Sequence, residues 1–153
     1  VTHGTAICNN PASQIFNYKK RRFSFMPELE SISIKGFKSI ASVERLPLTA
    51  INIVIGPNGS GKSNFIEVFS FLHFIRAGHL QDYVVKAGGA EKVLHFGSKV
   101  TPKLSLHIIF KNEINQYALE LQPTDFDELV PISERVYYWN KSYAHPYFKS
   151  LER

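Results

Sequence analysis

Gly56-Pro57-Asn58-Gly59-Ser60-Gly61-Lys62-Ser63 is a full G-x-x-x-x-G-K-[ST] phosphate-binding loop. Glycines let such a loop curl until successive backbone N–H groups converge on a phosphate chain. The helix that follows turns its positive end toward the same anion. Lys62 contributes a compact charge for the outer phosphates, and the Ser63 hydroxyl is a candidate Mg²⁺ ligand. The flanks supply the required context. Ile51-Asn52-Ile53-Val54-Ile55 is β-branched and apolar and predicts a buried strand. Residues 64–76 predict a helix with Phe65, Val68, Phe69, Leu72 and Ile75 on one stripe and Ile66, Phe71 and Phe74 beside it. Asn64, Glu67, Ser70 and His73 form its narrow polar edge, so a core helix packed on more than one side is expected.

Upstream, residues 29–37 alternate: Ile32 and Ile34 on one face, Ser31, Ser33 and Lys35 on the other. This predicts a half-exposed strand ended by Gly36. Residues 46–50 are expected to form a connection. Downstream, Gly78 and the Gly88-Gly89 pair bracket a stretch expected to be rich in loops. Leu104, Leu106, Ile108 and Phe110 alternate with polar residues, residues 111–115 are polar, and Tyr117, Leu119 and Leu121 alternate again, which predicts a β-hairpin. Residues 122–131 are expected as an acidic loop and residues 134–140 as a further strand. The predicted fold is α/β: a phosphate-loop sheet with a core helix and an antiparallel β-rich subdomain.

At 153 residues, 44 % hydrophobic and 20 % charged, the chain is expected to form one packed domain. The formal charge is +5, but Lys19, Lys20, Arg21 and Arg22 hold four of the 18 basic residues, and no acid precedes Met26. The remainder is nearly neutral, with 14 basic and 13 acidic residues, so bulk charge argues little for nucleic acid. Met26 is the one methionine and is expected to be the native start, with residues 1–25 a non-native or disordered basic extension and residues 26–153 the domain. The rival reading is a basic arm for nucleic acid or nuclear targeting. A single cysteine, Cys8, excludes an intramolecular disulfide and fits a reducing, cytoplasmic setting. No run reaches the 18 apolar residues of a membrane span.

Lys35-Gly36-Phe37-Lys38-Ser39-Ile40, the loop with its internal Pro57-Asn58, and Asn64 after the serine resemble the N-terminal lobe of ABC-type ATPase heads of the SMC and RecF branch, including bacterial predicted ATPases. Residues 76–86 resemble the arginine-containing loop of SMC heads, and residues 88–97 resemble the bacterial subgroup. The resemblance covers about residues 27–140. It implies Mg-ATP as ligand, a homodimer of heads that clamps nucleotide between them, and roles in DNA maintenance, repair or phage defence. It places nucleotide contacts at Gly56, Pro57, Asn58, Gly59, Ser60, Gly61, Lys62, Ser63, Asn64, Lys38 and Ser39, with Asn58 near the γ-phosphate. It gives Arg76 a DNA-contacting or nucleotide-sensing role.

The departures matter as much. Family hydrolysis uses an apolar strand ending in Asp-Glu, the first helping to hold Mg²⁺ and the second polarising water. No such run occurs here, and no catalytic residue is assigned. Asp127-Glu128 follows Phe126 in a polar loop and is expected to be solvated. The Leu-Ser-Gly-Gly signature is absent too. The chain is therefore expected to be truncated, an ATP-binding lobe whose hydrolysis needs a C-terminal lobe. The alternative is a non-catalytic interaction module, or a gene fragment, that docks a partner through an exposed sheet edge.

Among other residues, Gln81 fits the arginine loop better than a Mg²⁺-sensing position. His73, His79, His95 and His107 lack metal-ligand spacing and are expected to be structural or exposed. Glu67 is expected at the surface. Tyr137, Tyr138 and Trp139 are expected to pack a core, with base stacking as the other reading.

Overall fold

The structure, a computed structural model, describes residues 29–151. The proposed extension at residues 1–25 lies outside them. Six strands form one antiparallel sheet in the order β2-β1-β3-β4-β5-β6. They are β1 (Leu29–Phe37), β2 (Ile40–Pro47), β3 (Leu104–Phe110), β4 (Asn115–Pro123), β5 (Leu129–Tyr138) and β6 (Tyr147–Ser150). Between β2 and β3 come α1 (Lys62–Arg76), α2 (Leu80–Ala87) and α3 (Ala90–Val93).

The alternation in β1 builds the core as expected. Ile32 and Ile34 are fully buried and meet Ile108 and Leu106 of β3, which pair in turn with Tyr117 and Leu119 of β4. Val68, Phe71 and Ile75 of α1 and Val84 of α2 close this side. Phe71 lies between Phe37 and Tyr83, with ring centroids 5.3 and 4.8 Å away. The β3–β4 hairpin forms as the alternation indicates, and the strand expected at residues 134–140 forms with other bounds, from Leu129 to Tyr138.

Several expectations change. Gly36 does not end β1; it sits at its penultimate position at φ +81°, and Lys103 O and the Thr101 methyl approach the place a Cβ would take. β2 was not legible, since its exposed residues lack alternation; a two-residue turn, Lys38-Ser39, folds it onto β1. The segment between Gly78 and Gly88 is the helix α2 rather than a loop, and the glycines are its punctuation: Gly88 caps it in a left-handed conformation. α1 is not covered all round: Ile66 is 64 % exposed and Phe69 borders solvent. The acidic loop shrinks to residues 124–128, because Gln122 and Pro123 pair with Val130 and Leu129. Within it Asp127 is exposed but structural: its carbonyl accepts from Ala90 N (2.9 Å) and its carboxylate from Glu91 N (2.9 Å), capping α3.

The largest correction concerns residues 51–55. They form no strand, and Ile51, Ile53 and Ile55 are about four-fifths exposed or more (80, 79 and 89 %). A strand needs a ladder partner on at least one side. Here Asn52 bonds back to Thr49, accepting from its N–H (3.0 Å) and donating to its carbonyl (2.7 Å). This turn leads the chain away from the sheet, and no described strand lies beside residues 51–55.

Candidate functional site: the phosphate loop and its neighbours

α1 begins at Lys62, immediately after the loop. Its N-cap is Gly61 at φ +89°, which offers no side-chain acceptor, and its first turn holds no acid. The N–H groups at a helix start have no intrahelical partner. Here nothing on the helix itself neutralises them, so an anion seated at the loop would meet an open positive end. Gly59 is also left-handed, at φ +82°. A Cβ on Gly61 would come within 2.8 Å of Ser39 Oγ, and one on Gly56 within 2.8 Å of Ser60 Oγ. Glycine is therefore required at 61 twice over, by conformation and by space.

Lys62 curls back over the loop. Its ammonium donates to Gly56 O (2.7 Å) and Pro57 O (2.6 Å) and lies 3.4 Å from Ser60 Oγ. The charge thus stands inside the concavity framed by residues 56–61. Ser63 is exposed on the first turn of α1. Asn64 donates from Nδ2 to Ser39 Oγ (2.7 Å), which ties the β1–β2 turn to the start of the helix. The expected residues Gly56, Pro57, Asn58, Gly59, Ser60, Gly61, Lys62, Ser63, Asn64 and Ser39 are thereby gathered around one loop.

Lys38 and Arg76 are not part of that cluster. Lys38 neighbours Ser39, but its ammonium pairs with the Glu67 carboxylate and sits over the Tyr83 ring, 5.7 Å from its centroid. Arg76 is exposed in the last turn of α1, fourteen residues from Lys62 and so about 20 Å along the axis.

Glu67 is not the plain surface residue expected from its place on the polar edge. It accepts from Lys38 and from Tyr83 OH (2.8 Å). Burial pushes its carboxyl up, but those two hydrogen bonds and the Lys38 charge outweigh that and hold it below its ordinary value. Burial first, then the Glu67 carboxylate, push the Tyr83 phenol up. The polar spacing of α1 located Glu67, but no sequence signal pairs it with residues 29 positions before and 16 after. The Lys38 backbone is anchored as well: its N–H donates to Val93 O (2.8 Å), and its carbonyl lies 2.7 Å from His95 Nδ1. Gln81 donates from Nε2 to Leu129 O (2.6 Å), fastening α2 to β5 rather than facing the loop.

The expected core packing of Tyr137, Tyr138 and Trp139 does not occur. Tyr138 is 55 % exposed, and Trp139 stacks under the Lys141 ammonium at 3.4 Å. No helix among the described residues is long and apolar enough to cross a membrane.

Comparison with known proteins places the chain. The family described as the RecF/RecN/SMC N terminal domain matches residues 28–145. The chromosome partition protein Smc of Desulfitobacterium hafniense is 33 % identical over 113 residues, which is 71 % of this chain and 9 % of the relative. The DNA replication and repair protein RecF of Shewanella denitrificans is 38 % identical over 60 residues, 38 % of this chain and 17 % of the relative. Structural maintenance of chromosomes protein 1 of Saccharomyces cerevisiae is 36 % identical over 63 residues, 40 % of this chain and 5 % of the relative. The chain thus spans less than a fifth of the length of each of these relatives. No solved structure matches it. With a phosphate loop opening α1 and the family match running across nearly all of the described sheet, this chain belongs to the RecF/RecN/SMC N terminal domain family, a branch of the phosphate-loop NTPases.

Proposed function

We propose that this chain is the Mg-ATP-binding lobe of an SMC/RecF-like ATPase and that hydrolysis requires residues of a second lobe. The observation that supports it most is the loop itself: an uncapped, acid-free helix start with Lys62 already folded into the concavity. The donor set suits a polyphosphate. Backbone N–H groups of residues 59–63 would cradle it, and Lys62 would exchange the Gly56 and Pro57 carbonyls for phosphate oxygens. Ser63 would supply a hydroxyl for Mg²⁺, and Asn58 and Ser39 would border the same anion. Bound Mg-nucleotide would supply the electrophilic phosphorus and the charge that closes the loop. The chain's own residues would bind and orient it, and among the described residues no carboxylate shares a hydrogen bond with Lys62 or Asn64 at the loop. Dimerisation of heads across nucleotide, and a DNA-maintenance role, follow from the same family reading.

The exposed segment 51–55 supports the need for a second lobe. Three isoleucines facing water beside the loop make an apolar strip that a neighbouring strand would cover. The same strip favours the second reading, an interaction module that docks a partner without nucleotide chemistry.

Equilibrium binding of labelled ATP with Mg²⁺ separates the two. Wild type is expected to bind, and Lys62→Ala to lose binding at least tenfold while melting at the same temperature. Equal binding by both proteins would overturn the nucleotide reading. Turnover by the isolated chain above the Lys62→Ala background would overturn the claim that catalysis needs a second lobe.

A further inference from the structure

We propose that the sheet face turned away from the helices, at its β3–β6 end, is a stacking platform for single-stranded nucleic acid. His107, Tyr137 and Phe148 would receive the bases and Arg135 the phosphates. The strand register builds the platform. Gln116 of β4 is opposite Tyr137 of β5, and Tyr137 is opposite Phe148 of β6, so the three share a face. One row along, Ser33, His107, Ala118, Arg135 and Ser150 share it too. The helices pack on the opposite face, against Ile34, Leu106 and Leu119. Ala118 is small, so the His107 and Tyr137 rings approach to 6.2 Å across β4, and Tyr137 meets Phe148 at 5.8 Å. The His107 ring lies 3.0 Å from Gln116 Oε1, a polar group within reach of a base edge.

Charge selects the occupant. Arg135 is exposed on this face, whereas Lys149, opposite Val136, lies on the helix side and Lys141 is ion-paired with Glu113. Of the acids near this face, Glu120 is paired with Lys103 at 2.9 Å and Glu113 with Arg45 at 2.5 Å and Lys141 at 3.3 Å, while Glu44 stands on β2, at the other end of the groove that His107 and Tyr137 line. A dry protein interface would want aliphatic cover, whereas Ser33, Gln116, Ser150 and Arg135 border these rings. Planar π-faces beside the Arg135 guanidinium fit unpaired bases on a phosphate backbone. Bases stacked inside a duplex could not reach a flat row of rings, so the occupant is a single strand.

The proposal is independent of nucleotide at the phosphate loop. The test is fluorescence anisotropy of a labelled oligothymidylate and of a duplex of equal length, using the full chain. The single strand is expected to bind more tightly, with affinity falling as salt rises. Phe148→Ala and Tyr137→Ala are each expected to weaken it by about five- to a hundredfold. Phe148→Trp should retain binding, Arg135→Gln should weaken it and flatten its salt dependence, and Lys62→Ala should leave it unchanged. Phe148 is 55 % exposed on an edge strand, so its substitution tests the platform even if Tyr137→Ala unfolds. Equal affinity for duplex, or wild-type binding by a folded Phe148→Ala chain, overturns the proposal. So does self-association that Phe148→Ala abolishes in a chain that binds no oligonucleotide, which would mark the face as a protein contact.

Discussion

The Lys38 ammonium is ion-paired with the Glu67 carboxylate, and Tyr83 donates its hydroxyl to the same oxygen. The pair joins the β1–β2 turn to the polar edge of α1, and the tyrosine carries the connection to α2. Ser39, the next residue, is bonded to Asn64 at the start of α1. The turn that borders the phosphate loop is therefore locked to both helices.

This cluster predicts a pH dependence. Glu67 is held below its ordinary value of 4.5 in the folded chain. Its ionised form therefore contributes stability that is present above that value and is lost as pH falls through the lowered folded value. Urea midpoints measured from pH 6 down to about pH 3 should fall more steeply for wild type than for Glu67→Gln, which lacks this titration. Parallel curves would contradict the assignment.

Tyr83→Phe removes one hydrogen bond to a charged acceptor and keeps the ring between Phe71 and Phe74. A loss of about 1.5–3 kcal/mol is the upper expectation for such a bond, reduced here because Glu67 is partly solvated. Because the phenol is pushed above 10.0 by folding, wild type should also lose stability as pH rises past that value, and the phenylalanine variant should not.

Phe71 is fully buried against Phe37 and Tyr83. Phe71→Ala should cost about 3–5 kcal/mol in denaturant unfolding, by lost transfer energy and a residual cavity. Ile53→Ser tests the opposite case. A buried strand would suffer comparably, but an isoleucine 79 % exposed should change stability by only about 0.5 kcal/mol. A large loss there would show that residues 51–55 are covered.

Gly61→Ala should weaken Mg-ATP binding and stability together. The added methyl would stand in a left-handed conformation, costing about 1–2 kcal/mol, and would press on Ser39 Oγ. Isothermal titration with a parallel thermal melt checks both. Restoration of binding by Ser39→Gly in the Gly61→Ala background would assign the binding loss to the contact rather than to backbone strain.

Local patterns carried much of this chain. The order of glycines and lysine before an apolar helix determines the phosphate loop, because its chemistry lies in consecutive backbone groups. Period-two alternation in β1, β3 and β4 determines those strands, because each buries one face and wets the other. The same logic misled at residues 51–55: an apolar run states that a segment wants cover, but only the tertiary structure shows whether a neighbour provides it. Glu67, Tyr83 and the His107–Tyr137–Phe148 row were beyond the reach of sequence for a related reason. Their meaning lies in contacts between residues far apart in the chain, fixed by strand register and helix packing rather than by any local spacing. Sequence by itself thus determined the loop and the family, whereas the tertiary structure decided which apolar and aromatic residues remain exposed.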